Sequence, residues 1–147
     1  MKYTTEVQIN LPRQRVIELF DNSENLFKWQ QGLKDFQHLE GEPGTEGARS
    51  RMVYEGRKGD LEMMETIRSR NLPDEIHMVY HARGVYHAMA NYFIQADEGT
   101  TIWRTVSDFR FRGLMVFMSP FMKQAFMSNT LLSMERFRVF AEKNSEK

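Results

Sequence analysis

Along this chain the spacing of hydrophobic positions changes period several times. Tyr3, Thr5, Val7 and Ile9 alternate with Thr4, Glu6 and Gln8, the two-residue period of a half-buried strand. Pro12 then stands where the first turn of a helix tolerates it, and Val16, Ile17, Leu19 and Phe20 follow at helical spacing. Asn22 or Ser23 can cap a second short helix carrying Leu26, Phe27 and Trp29, which Gly32 ends. From Leu33 to Phe111 the period returns to two. Turn-forming clusters at Gly41 to Gly47, Gly56 to Gly59, Asn71 to Asp74, Arg83-Gly84 and Asp97 to Gly99 divide this stretch. They delimit six strands near 33–39, 47–55, 60–69, 75–82, 85–96 and 100–111, and such short links make neighbours antiparallel.

The last third, from about Ser119 to Lys143, reads as one helix with an unusually wide apolar face. Phe121, Met122, Ala125, Phe126, Leu132, Phe137, Val139 and Phe140 spread over more than half of its circumference, leaving Gln124, Ser128, Glu135, Arg138 and Glu142 as the wet stripe. A helix of about 25 residues runs roughly 37 Å, enough to cross a small domain. It is expected to lie along the sheet and bury most of itself there. Asn129 and Ser133 interrupt the apolar face one turn apart, which suggests a helix closing over a cavity.

The order of one strand, two short helices, six strands and one long helix resembles the START-like (SRPBCC, Bet v 1-like) superfamily. The likeness is to its polyketide cyclase/dehydrase and lipid-transport members in particular. The telling local pieces are Val7-Gln8-Ile9-Asn10-Leu11-Pro12 with Val16 and Phe20, Trp29 before the second strand, and Gly99-Thr100-Thr101-Ile102-Trp103-Arg104-Thr105 leading to Phe109. The resemblance spans residues 1–147 as a single domain. It implies an α+β helix-grip fold, a seven-stranded antiparallel curved sheet wrapped around the C-terminal helix. The space between sheet and helix is then a cavity for a small hydrophobic ligand, such as a lipid or a polyketide-like or aromatic compound.

Hairpin register names the walls. With Arg57-Lys58 at the tip, 54 opposes 61 and 52 opposes 63; closing over Leu72-Pro73 sets 65 opposite 80 and 67 opposite 78. Ser50, Met52, Tyr54, Leu61, Met63, Glu65, Ile67, Ile76, Met78, Tyr80 and Ala82 then share the inner face. For 85–96, a three-residue loop ending in Gly84 turns Tyr86, Ala88, Ala90, Tyr92 and Ile94 inward. A two-residue loop turns in Val85, His87, Met89, Asn91 and Phe93 instead. The Tyr92 set is the favoured one. The expected ligand contacts are Tyr54, Met63, Glu65, Met78, Tyr80, Tyr92, Trp103 and Ser107 from the sheet, and Met122, Phe126, Asn129 and Ser133 from the helix.

Candidate chemistry is sparse. Glu65 stands alone on an apolar row, where desolvation raises a carboxyl pKa and fits it for acid/base work or for anchoring a hydroxyl. It is the candidate catalytic residue of an alternative reading, a cyclase or dehydratase with a tyrosine as partner; an ion pair with Arg136 is the structural alternative. His77 and His81 lie about 13 Å apart on one strand face, so no metal site is expected, and no phosphate loop or nucleophile elbow calls for a cofactor.

Composition narrows the rest. Twenty basic and twenty acidic residues cancel, which argues against nucleic acid as a partner; Arg104 and Arg110 fall on the outer side of a strand. Without cysteine there is no disulfide or thiolate chemistry. No charged-then-apolar leader precedes Tyr3, so a cytoplasmic location is expected, and no run reaches the roughly 20 residues of a membrane span. Eleven Met and eleven Phe suit either a Met-rich core or a pliable ligand lining. Leu114 to Met118 is expected to bury at the sheet edge; its alternative is an apolar lip that touches a membrane.

Overall fold

The computed structural model describes residues 1–145. Strand β1 (Lys2–Ile9) leads into helix α1 (Arg13–Phe20), a 3₁₀ turn over Ser23–Asn25 and helix α2 (Leu26–Trp29). Strands β2 (Leu33–Glu40), β3 (Arg49–Tyr54), β4 (Leu61–Asn71), β5 (Glu75–Ala82), β6 (Val85–Asp97) and β7 (Thr100–Phe111) follow, and helix α3 (Met115–Lys143) ends the chain. The seven strands form one antiparallel sheet in the order β1-β7-β6-β5-β4-β3-β2.

The local chemistry matches the elements. The Asn22 side chain accepts from the Glu24 amide at 3.0 Å, capping the 3₁₀ turn, and Asn25 Nδ2 donates to the Leu19 carbonyl at 3.0 Å. Gly32, at φ +79°, supplies the left-handed residue that turns the chain from α2 into β2. β1 buries every second residue, so Tyr3, Thr5, Val7 and Ile9 face the concave side.

α3 rides along β1. Tyr3 Oη lies 2.7 Å from Thr130 Oγ1, Thr5 Oγ1 3.3 Å from Met134 Sδ, and the Asn10 amide donates to Glu142 Oε2 at 2.8 Å. The lengths cannot match. A 29-residue helix runs about 43 Å, whereas an eight-residue strand spans about 26 Å. Since Tyr3 already sits against Phe126 and Thr130, everything before Phe126 projects past the start of β1.

That overhang corrects the expectation of a largely buried helix. Only Met134, Phe137 and Ala141 of α3 are buried, while Phe121, Leu132 and Val139 are exposed. The helix also begins at Met115, ahead of Ser119, and passes through Pro120. Proline has no N–H for the Val116 carbonyl, and the Ser119 hydroxyl donates to that oxygen at 3.0 Å in its place. Met115 to Met118 is therefore helical, and Leu114, Val116, Phe117 and Met118 are exposed with only Met115 half-buried, so the run is not buried at the sheet edge.

The second correction concerns β6. Ala82 pairs with Val85 across the two-residue turn Arg83-Gly84, and a bulge at Ala96 shifts the β6–β7 register before Asp97 pairs with Thr100. An extra residue turns over every side chain beyond it. Val85, His87, Met89, Asn91 and Phe93 face inward, opposite Phe111, Phe109, Ser107, Thr105 and Trp103. Tyr92 stands on the convex face, edge-on to His77 with ring centroids 5.6 Å apart.

Candidate ligand cavity

The sheet's concave face is built in transverse rows, because antiparallel partners point the same way. Phe93, Trp103 and Val7 make one row, and Ile76, Asn91, Thr105 and Thr5 the next. Onto these rows α1, α2 and the C-terminal half of α3 bring Val16, Leu19, Phe20, Trp29, Phe137 and Ala141. Phe20, Trp29, Trp103 and Phe137 interlock with centroids 5.1–6.3 Å apart, mostly edge to face. This end is solid: Ile9, Val16, Phe93, Met134 and Phe137 are each at most 1% exposed.

Toward the other end α1 and α2 bring no rings, and from α3 only Phe126 packs on the sheet, against Phe109 and Phe111 at its margin. Ile67, Met78, Met89 and Ser107 form an apolar row; His38, Ser50, Glu65, Tyr80, His87 and Phe109 form a polar one; Phe36, Met52 and Met63 begin the third. A cavity of about 840 Å³ lies over them, within the roughly 300–1,000 Å³ typical of ligand pockets. Its far wall is α3, through Asn129, Thr130, Ser133 and Met134. Asp21 to Ser23, Leu26, Gln30 and the loop Pro43 to Thr45 border it on the remaining side.

The polar row is the cavity's chemistry. Glu65 faces Ser50 on one neighbour and Tyr80 on the other, and Tyr80 faces His87. The Tyr80 hydroxyl lies 3.2 Å from Met78 Sδ and within hydrogen-bonding range of the Glu65 carboxyl. A carboxylate accepts far better than a thioether, so an ionised Glu65 takes that proton's hydrogen bond. Burial pushes the Glu65 pKa up to about 7, against the smaller opposing pull of Tyr80. Burial likewise raises both Tyr54 and Tyr80, the nearby Glu65 charge adding to it. The Tyr54 hydroxyl donates to Gln30 Oε1 at 3.0 Å. His87 lies flat on Phe109, centroids 3.8 Å apart, and burial lowers its pKa to about 4. Among the described residues nothing pairs with its Nε2. Glu65 has no basic partner either, because Arg136 donates its Nε to the Trp29 carbonyl at 3.0 Å.

Two charges do stand at the border. The bulge at Arg68 on β4 turns Arg70 inward, where Nη1 donates to Asp21 Oδ1 at 2.9 Å and the second guanidinium nitrogen to Oδ2. That pair closes on itself and leaves no free charge facing the hollow.

No protein-family model matches this chain, and no curated protein matches its sequence. Solved structures match its shape. Zhui aromatase/cyclase from Streptomyces sp. R1128 superposes with a TM-score of 0.83 at 12% identity, covering 97% of this chain and 94% of that one. A START superfamily protein from Mycobacterium smegmatis gives 0.78 at 9% identity over 97% of each chain. Ara h 8.0201 gives 0.72 at 13% identity over 97% of this chain and 98% of its own. This chain has the helix-grip fold that these structures share. At such identities the likeness carries architecture alone, so what this helix-grip sheet offers a ligand must be read from its own residues.

Of the twelve expected contacts, Tyr54, Met63, Glu65, Met78, Tyr80, Trp103, Asn129 and Ser133 line the cavity. Four do not. Tyr92 points away because of the Ala96 bulge, and Ser107 is sealed beneath α3 beside Tyr3. Phe126 is taken up by Phe109 and Phe111, at 4.9 and 5.9 Å, and Met122 lies on the overhang of α3. His87, Met89 and Asn91 belonged to the alternative set for β6. His38, Gln30 and the Asp21–Arg70 pair were missed, since single long-range contacts and a mid-strand bulge leave no periodic trace. No helix among the described residues is long and apolar enough to cross a membrane, and none of their acidic or histidine side chains cluster as metal ligands do.

Proposed function

We propose that this helix-grip protein takes up a small hydrophobic ligand, a lipid or a polyketide-like or aromatic compound, in the hollow between α3 and strands β2–β6. One observation carries the reading: a cavity of about 840 Å³ whose two apolar rows enclose a single polar one. An apolar body would lie along Met63, Met78 and Met89, whose thioethers adapt to irregular shapes. Its polar end would meet Glu65, His87, Asn129 or Ser133, where hydrogen-bonding capacity remains unspent. Ser133→Phe, projecting from α3 into the hollow, tests this. Uptake of an environment-sensitive hydrophobic dye is expected to fall at least about tenfold, the effect of 1.4 kcal/mol, with the melting temperature little changed. Unaltered dye uptake, together with native mass spectra free of co-purified ligand, counts against the reading.

A second reading rests on Glu65 and Tyr80 standing directly opposite each other. A carboxyl with a pKa of about 7 is suited to proton transfer near neutrality. In a dehydration, Glu65 as carboxylate would take a proton from substrate carbon while the Tyr80 hydroxyl gave one to the departing oxygen, so that water leaves. Glu65→Gln then abolishes turnover of a hydroxylated polyketide-like substrate while its binding persists. Equal turnover by Glu65→Gln removes the reading.

A further inference from the structure

The overhang of α3 carries a feature the cavity does not use. Leu114, Phe117, Met118 and Phe121 recur at helical spacing on one face, and they are 83%, 77%, 58% and 88% exposed. The cavity does not draw on them, since its α3 wall begins at Asn129. Large apolar side chains left this far in water, four on one stripe, mark a surface that another phase or molecule covers.

The charges around the stripe identify the phase. From Phe109 to Met134 there is no aspartate or glutamate, whereas Arg110, Arg112 and Lys123 lie in that interval. Gly84 of the β5–β6 turn sits at the start of α3, with the Arg112 carbonyl and Met115 Sδ as its nearest neighbours, so Arg83 adds a fourth cation there. Asp108 is the nearest carboxylate in sequence, and it holds Arg110 loosely, at 3.9 Å, leaving that side chain 76% exposed. In a chain of zero net charge the arginines make a one-sign patch beside the apolar stripe, while Lys123 falls on the opposite side of the helix. A symmetric pair of copies meeting through the stripe would bring like cations face to face, an unfavourable arrangement. A surface of anionic headgroups over acyl chains attracts the cations and receives the rings together.

We propose that Leu114 and the first turns of α3, through Phe117, Met118 and Phe121 with the neighbouring Arg83, Arg110 and Arg112, dock on an anionic lipid bilayer. The inference goes beyond ligand binding and stands without it. It accounts for a helix that outruns β1: the projecting part reaches the bilayer while the remainder stays with that strand.

Co-sedimentation of the full chain with vesicles tests it. Vesicles containing phosphatidylglycerol are expected to retain the protein at low salt and release it at high salt, and vesicles of phosphatidylcholine alone to retain little. Arg83→Gln with Arg112→Gln weakens retention by about fivefold per cation removed, and Phe117→Ser with Phe121→Ser by on the order of a hundredfold. The melting temperature stays the same in both, as expected for exposed side chains. Val139→Ser, near the other end of α3, leaves retention unaltered. Retention equal on both vesicle types, or unmoved by either double variant, overturns the proposal. So does a dimer in light scattering that Phe117→Ser with Phe121→Ser converts to monomer, because the stripe then belongs to a second copy.

Discussion

The two ends of the concave face share one sheet, one alternation of inward and outward residues and one covering helix, yet one end is solid and the other hollow. The difference lies in what each row is offered. The Phe93–Trp103–Val7 row receives rings from Phe20, Trp29 and Phe137, which pack on it edge to face and close that end of the cavity. The Glu65–Tyr80–His87 row faces Asn129, Thr130, Ser133 and Met134 of α3 across the hollow, and no ring among them. This chain thus has a packed core at one end of the concave face and a withheld core, the hollow, at the other. Stability and ligand chemistry should separate along this axis.

The strongest way to break the comparison is to remove equivalent bulk from each end. Phe137→Ala is expected to cost about 3–5 kcal/mol of unfolding free energy, because the rings around it cannot collapse into the space. Met63→Ala, whose side chain already borders a hollow, should cost less than about 1.5 kcal/mol, since no new cavity is enclosed. Denaturant titration measures both, and equal losses would mean the hollow end is packed in solution.

The next contrast is electrostatic. Burial keeps Glu65 protonated up to about pH 7 from an ordinary 4.5, so the folded state holds the extra proton. Its contribution therefore falls as pH climbs from 4.5 through 7 and then levels. His87, lowered to about 4 from 6.5, runs the other way: the unfolded chain holds the extra proton, and stability rises across that window. Between these limits the two slopes oppose, and the parent protein should be nearly flat. Glu65→Gln should reveal the rising limb alone and His87→Phe the falling one, each spanning roughly 2–3 kcal/mol. Profiles without slope in both variants would show that neither group is desolvated. The smallest effect is expected at Tyr92→Phe, where dye uptake should be unchanged and stability should shift by less than about 0.5 kcal/mol, because this tyrosine is on the convex face.

Much of this was legible beforehand where rules are local. The pairings of Tyr54 with Leu61 and Met52 with Met63 followed from turn length, whereas Glu65 with Tyr80 and Ile67 with Met78 hold because the bulge at Arg68 offsets a turn one residue longer than expected. Tyr92 was misplaced because a glycine at positive φ serves two- and three-residue loops equally well. Gly84, at φ +75°, could not arbitrate, and a bulge within a uniformly alternating stretch leaves no signal. The exposure of Leu114 and Phe117 was unreadable for a different reason. It depends on α3 outrunning β1, a difference of lengths in space, and an apolar run looks the same whether a sheet or a bilayer is to cover it.

The bulge at Ala96 has a consequence for how such a scaffold diversifies. Two-residue turns pin β6 to β5 on one side and to β7 on the other, and a single surplus position between them lets both strands keep their present orientation. Deleting one codon there would set the strands at odds and force one to roll over. That would exchange His87, Met89 and Asn91 for Tyr86, Ala88 and Ala90, or hide Trp103 from the interior. A wallpaper of wholly different chemistry is therefore three nucleotides away, with no catalytic or lining residue itself mutated.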